Sequence, residues 1–148
     1  MAALIEKARQ RVLALDPSLR IDARVEPGLT VLGDEALLSR ALDNLLDNAR
    51  KYASGSSVEL EARRQNGDVV LAVRDHGPGI PPGDLPRVFD PFFRGEGAPG
   101  RAEGFGLGLA LARRVADAHG GSAQAHNAEG GGARIELRFP AAAAGTVP

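Results

Sequence analysis

The sequence predicts an α/β sandwich: a single mixed, mostly antiparallel sheet of about five strands with about three helices on one face. Two long stretches with helical apolar periodicity, one clear β-hairpin and the order in which these alternate carry the prediction. A long Gly- and Pro-rich connection breaks that order once. Such connections inside compact domains are uncommon and are usually functional or disordered.

Taken in order, residues 2–15 place Leu4, Ala8, Val12 and Leu15 at helical spacing, and Asp16-Pro17 ends the run. Two short extended pieces follow, Arg20–Glu26 and Leu29–Leu32, divided by Pro27-Gly28. Asp34 can cap a helix running to about Ala53, with Gly55 as its stop. At ~100° per residue, Leu38, Leu42, Leu45, Ala49 and Tyr52 share one face, and Asn44, Asn48 and Lys51 form a stripe beside it. Val58, Leu60 and Ala62 then alternate with Glu59, Glu61 and Arg63. Asn66-Gly67 is a strong two-residue hairpin signal, and Val69–Val73 is a buried return strand that ends at Asp75. Residues 76–106 hold no long periodic element, only an apolar knot at Val88–Phe93. A helix from Leu107 to His119 turns Leu107, Leu111, Val115 and Ala118 to one side and stops at Gly120-Gly121. The strand-like runs Ser122–His126 and Arg134–Phe139, joined through Gly130–Gly132, complete the sheet, and residues 141–148 read as a flexible tail.

Composition narrows the function classes. The 148 residues fit one domain, and the absence of Cys excludes a disulfide scaffold and any thiolate metal site. Eighteen Lys and Arg against nineteen Asp and Glu leave a charge of -1 with no basic stripe, which argues against nucleic-acid binding. There is no run of about eighteen apolar residues and no apolar signal core at the start, so a soluble cytoplasmic chain without membrane contact is expected.

Three clusters could carry chemistry. Alone, the Asn44–Asn48–Lys51 stripe reads first as a solvated helix face. An amide oxygen there could also ligate Mg²⁺, and the Lys could meet phosphate, with Tyr52 beside them as a flat surface. Gly77-Pro78-Gly79 alone is a tight turn. Asp75 before it, however, follows an apolar strand, and its carboxylate could accept from an exocyclic amino group such as that of adenine while repelling a guanine carbonyl. Gly104, Gly106 and Gly108 open a helix, where backbone N–H groups can approach an anion. No clear strand precedes them, there is no Walker pattern, and no protein-kinase HRD or DFG follows.

The order of these clusters resembles one family. NLLDNARKY (44–52), DHGPGI (75–80), FDPFFR (89–94), GFGLGLALARRVADAHGG (104–121) and GGARIELRFP (131–140) are similar to the motifs of the catalytic ATP-binding domain of sensor histidine kinases. That domain belongs to the gyrase/Hsp90/histidine-kinase/MutL ATPase superfamily, whose fold is of the Bergerat type. The resemblance spans about residues 20–140. It implies that Asn48 coordinates Mg²⁺ on the ATP phosphates and that Lys51 and Arg94 reach phosphate. Tyr52 would lie on the adenine side, Asp75 would read the adenine amino group, and Gly77, Gly79 and Ile80 would line the base. Gly104, Phe105, Gly106, Leu107, Gly108 and Leu109 would hold the triphosphate at the helix start. Residues 81–103 would form the ATP lid, with Phe89, Phe92 and Phe93 anchoring it or packing on the phosphotransfer helices; plain core is the other reading of these Phe.

The same resemblance implies a division of the chain. Residues 1–16 would be a remnant of a dimerisation and phosphoacceptor helix, 17–140 the catalytic domain and 141–148 the tail. Members that hydrolyse ATP, and the related anti-sigma-factor serine kinases, commonly carry a Glu as general base four residues before the metal-binding Asn. Here Asn44 stands in that place and takes up no proton. A neutral imidazole needs less help as a nucleophile, which favours a histidine acceptor and catalysis by positioning and charge neutralisation. The family's acceptor pattern, His followed by Glu or Asp, is missing: His76 and His119 precede Gly, and His126 precedes Asn. His119 reads as a helix-end residue rather than a catalytic one. The expectation is a monomeric catalytic domain that phosphorylates a separate dimerisation and histidine-phosphoacceptor domain, which in turn serves a response regulator. The parent protein would be anchored in the inner membrane. The alternatives are an ATPase or serine kinase of the superfamily and a non-catalytic nucleotide-binding module.

Overall fold

The computed structural model describes residues 1–52, 57–93 and 108–142. The elements are α1 (Ala2–Leu15), β1 (Arg20–Val25), α2 (Glu35–Tyr52), β2 (Ser57–Gln65), β3 (Asp68–Arg74), α3 (Gly108–Ala118), β4 (Ser122–Asn127) and β5 (Ala133–Pro140), with a turn of 3₁₀ helix at Leu85–Arg87. The five strands form one sheet in the order β1-β2-β3-β5-β4. β1 runs parallel to β2, and the β2–β3, β3–β5 and β4–β5 pairs are antiparallel. The mixed sheet with three helices on one face is the expected architecture.

Local chemistry explains the elements. Asp34 caps α2 by accepting from the Leu37 N–H at 3.0 Å, with Glu35 in the first turn and Arg50 and Lys51 in the last, as the helix dipole favours. In the β2–β3 hairpin, Asn66 and Gly67 take φ of 52° and 83°, the left-handed pair that a two-residue turn requires. Fixing that register turns Val58, Leu60 and Ala62 of β2 and Val69, Leu71 and Val73 of β3 to the same face as Ile135, Leu137 and Phe139 of β5. The helices close this core with Leu38, Leu42, Leu45, Leu46 and Ala49 from α2, Ala112, Val115 and Ala116 from α3, and Ile5, Ala8 and Val12 from α1.

The opposite sheet face is held by charge. Glu61, Arg134, Glu136 and Arg138 form a chain of ion pairs at 2.9–3.5 Å, extended by Arg63 to Glu61 at 3.0 Å. Val70 and Ala72 of β3 lie on this face and are still buried, because the long side chains on β2 and β5 lie across the central strand. Burial by itself would raise the Glu136 carboxyl. The hydrogen bond from Arg134 and the charges of Arg134, His126 and Arg138 outweigh it and hold the carboxyl below its ordinary 4.5.

His119 ties the ends of two helices together. Its Nδ1 lies 2.7 Å from the Val115 carbonyl and its Nε2 accepts the Asp34 N–H at 3.1 Å. The ring meets Phe139 edge-on at 6.1 Å. It is therefore a junction between α3 and the cap of α2.

Three expectations are corrected. Leu29–Leu32 is not a strand: Val31 makes one isolated bridge to Ala141, because the Pro27-Gly28 turn and the α2 cap leave too short a segment to pair. The buried stripe of α1 is Ile5, Ala8 and Val12, and Leu15 is exposed where the chain turns away at Asp16. Ala141 and Ala142 donate to the Gly67 and Thr30 carbonyls, so the chain is tethered to residue 142. Gly55, offered as the stop of α2, and residues 143–148 of the tail lie outside the described residues.

Candidate functional site

The site is built where α2, the end of β3 and the start of α3 meet. Asp75 directly follows β3 and is 4% exposed. Its Oδ1 accepts from the Gly77 N–H at 2.9 Å and from the Ala133 N–H at 3.2 Å. No hydrogen bond to its Oδ2 occurs among the described residues, which leaves that oxygen open to a donor. Gly77 passes so close to α2 that a Cβ there would run into the Tyr52 carbonyl oxygen, so only glycine fits. The loop that begins at Asp75 thus docks on the C-terminal end of the helix that carries the Asn stripe.

On that helix, Leu38, Leu42, Leu45 and Ala49 are buried as expected, whereas Tyr52 is only half-buried. Asn44 and Asn48 are half-buried beside the apolar face. Asn44 Nδ2 is fully enclosed and has no hydrogen-bond partner among the described residues. Its side chain lies 3.8 Å from where a Cβ on Gly108 would stand, which places the stripe against the start of α3. The Asn48 side chain makes no hydrogen bond among the described residues. Lys51 Nζ lies 3.2 Å from Asp47 Oδ2, one turn back. Burial would raise the Asp47 carboxyl, but hydrogen bonds from Arg50 and Lys51 and their charges hold it below its ordinary 3.8.

Of the remaining predicted residues, Gly79 and Ile80 continue the loop from Asp75, and Ile80 packs against the core. Gly108 opens α3, followed by Leu109, which is partly buried against the core. Arg94, Gly104, Phe105, Gly106 and Leu107 lie outside the described residues, as does the part of the expected lid from 94 to 103. Residues 81–93 of that segment are a run of tight turns, each closed by a backbone bond to the residue three back: Asp84 to Pro81, Arg87 to Asp84, Asp90 to Arg87 and Phe93 to Asp90. The three Phe have different fates. Phe89 is core, and Phe93 lies under the Arg87 guanidinium at 4.6 Å. Phe92 is 69% exposed, with a left-handed φ of 66° that few non-Gly residues adopt.

Two residues of this region were not found from sequence. Arg74 Nη2 donates to the Glu129 and Gly131 carbonyls at 3.0 Å each, and the Asn127 amide pairs with the backbone of Ile80. Neither belongs to a recognisable motif. The one signal available was the Gly130–Gly132 run, which marks a close approach of backbone to something: a Cβ on Gly132 would run into the Asp75 carbonyl.

Residues 33–143 match the family of histidine kinase-, DNA gyrase B- and HSP90-like ATPases, and the chain belongs to that family. Within it, the chain is a catalytic domain of the sensor histidine kinase type. It is 40% identical over 136 residues to the sensor-like histidine kinase SenX3 of Mycobacterium tuberculosis, covering 90% of this chain and 33% of SenX3. The mycobacterial sensor histidine kinase MprB superposes with a TM-score of 0.88 at 32% identity over 95% of each chain. The ATP binding domain of PrrB from Mycobacterium tuberculosis superposes with a TM-score of 0.78 at 31% identity, covering 95% of this chain and 93% of that one. The chain spans about a third of the length of the curated SenX3 relatives it matches.

Proposed function

We propose that this domain binds ATP with Mg²⁺ and passes the γ-phosphoryl group to a histidine on a separate dimerisation domain, from which a response regulator would take it. The buried Asp75 carboxylate supports the reading. One oxygen is committed to two backbone N–H groups and the other is open, beside a loop docked on the C-terminal end of α2. In this reading the open oxygen accepts from the adenine amino group, Gly77, Gly79, Ile80 and Tyr52 bound the base, and the triphosphate runs along Asn44, Asn48 and Lys51 towards the start of α3. Arg94 and Gly104–Leu109 complete the phosphate side.

Asn48 suits a hard cation: its amide is half-buried, supplies an oxygen, and is not engaged with another described side chain. Bound there, Mg²⁺ would neutralise charge on the phosphates. In the transfer, an imidazole nitrogen forms the new bond to phosphorus, the bond to the β,γ-bridging oxygen breaks, and ADP leaves. Asn44 takes no proton, and a neutral imidazole has none to lose before attack. The residues of this chain therefore act by orientation and charge, as is general for phosphoryl transfer.

No helix among the described residues is long and apolar enough to cross a membrane. We place the domain in the cytoplasm, itself a monomer, facing the dimerisation and phosphoacceptor domain of the same kinase. The test mixes the chain with a histidine-hairpin domain and γ-labelled ATP. Acid-labile label on the hairpin is expected. Acid-stable label, or rapid phosphate release without any acceptor, would instead indicate a serine kinase or an ATPase.

A further inference from the structure

The loop that would bound the base does not stand alone. Asn127, the last residue of β4, donates from Nδ2 to the Ile80 carbonyl at 2.7 Å, and its Oδ1 accepts from the Ile80 N–H at 2.7 Å. The amide thereby pairs with both polar groups of one backbone residue, as a neighbouring strand would. Its Oδ1 also stands 2.8 Å from where a Cβ on Gly79 would lie, so it reaches the preceding residue too.

The turn that carries Asn127 is itself braced. Ala128 N–H donates to the Gly132 carbonyl at 2.9 Å and Gly131 N–H to the Ala128 carbonyl at 3.1 Å. Arg74 holds the Glu129 and Gly131 carbonyls. At its far end, Ala133 exchanges hydrogen bonds with Asp75: the Asp75 N–H donates to its carbonyl at 3.0 Å, and the Ala133 N–H donates to the carboxylate at 3.2 Å. The β4–β5 turn therefore grips the loop at both ends, Asp75 through Ala133 and Ile80 through Asn127.

From this we infer that Asn127 is a positioning residue for the base half of the nucleotide site. It holds Gly79 and Ile80 at the depth set by Asp75, so that the wall and the recognising carboxylate keep one spacing. The inference rests on the reading of Asp75 as the base-recognising group. It makes a prediction that a merely stabilising contact does not: loss of Asn127 weakens binding of the base and leaves binding of the phosphates alone.

The experiment titrates the 148-residue chain with ADP and, separately, with inorganic triphosphate, well below the melting temperature of every variant. Asn127→Ala should bind ADP about fivefold more weakly, as expected when a pair of partly exposed hydrogen bonds no longer orders the loop. Its affinity for triphosphate should be unchanged. Asn127→Asp keeps the shape but turns an oxygen towards the Ile80 carbonyl; it should show the same split, and it carries the test if the alanine variant does not fold. Val12→Ala, on the buried face of α1, should lower the melting temperature and change neither affinity. The inference is overturned if Asn127→Ala and Asn127→Asp bind ADP as the parent does, or if ADP and triphosphate weaken by the same factor. Asp75→Asn separates the two levels. If it weakens ADP binding while the Asn127 variants do not, only the role of Asn127 falls. If it has no effect, the reading of the base site falls and the inference with it.

Discussion

Replacing Asp75 by Asn separates what the carboxylate does for folding from what it does for binding. Two backbone donors, Gly77 N–H at 2.9 Å and Ala133 N–H at 3.2 Å, converge on Oδ1. An amide oxygen in that place can accept both, so Asp75→Asn should melt within a few degrees of the parent. The amide NH₂ then replaces the open Oδ2 and presents donors to the donor amino group of adenine. A hydrogen bond to a charged acceptor contributes about 1.5–3 kcal/mol, so ADP affinity should fall by about 2 kcal/mol, roughly thirtyfold. GDP, with a carbonyl at the corresponding position, should gain relative to ADP. Asp75→Ala gives the contrast. It strands the buried Ala133 N–H and the part-buried Gly77 N–H at about 1–3 kcal/mol each, so a loss near 3 kcal/mol and roughly 6–12 °C in Tm is expected. Calorimetric titration and thermal melts read the two quantities. If Asp75→Asn bound ADP as tightly as the parent, or melted as low as Asp75→Ala, the reasoning would be refuted.

Other outcomes follow from the same structure. Asn48→Ala should sharply weaken Mg²⁺-dependent ATP binding while metal-free binding of the adenine moiety persists; equal binding with and without metal in both proteins would remove Asn48 from the metal site. The Glu136 carboxyl is held low in the folded chain, so its contribution to stability is present above the ordinary carboxylate value and is lost as pH falls through the lowered one. Urea unfolding should therefore show Glu136→Gln less stable than the parent at neutral pH, with the gap closing in acid; a gap independent of pH would contradict the ion-pair account of that sheet face. Leu46→Ala, at a side chain with no exposure, should cost about 2–5 kcal/mol by the same unfolding measurement and leave ADP affinity of the folded protein unchanged.

How much of this was legible in the sequence depended on how local each signal is. Asn66-Gly67 specifies its own backbone, and the Asp34 cap specifies its own helix start, so the hairpin and α2 were readable from a few residues. Apolar spacing tells which side chains favour burial but not where the partner layer ends. For that reason the spacing puts Leu15 in the α1 stripe although it is exposed, and the apolar run Leu29–Leu32 suggests a strand although only Val31 makes a bridge. Val70 and Ala72 are buried by charged residues of other strands, a result that no pattern within β3 encodes. In the site, Asp75 was marked by its own strand and Gly77 by its turn. Asn127 reaches Ile80 across 47 positions of sequence, and the contact exists only because β4 lies at the edge next to β5. The three Phe show the same limit: one motif supplied a core residue, a cation-stacked residue and an exposed one.

An amide ¹H–¹⁵N titration of the chain with ADP and Mg²⁺ asks most directly whether the carboxylate after β3 and the amides of α2 serve one cleft. The expected result is a single saturable set of shifts confined to residues 44–52, 75–80, 94, 104–109 and the 127–133 turn, with the charged sheet face of Arg63, Glu136 and Arg138 silent. Shifts at residues 75–80 without any on α2, or a set centred on that charged face, would contradict it.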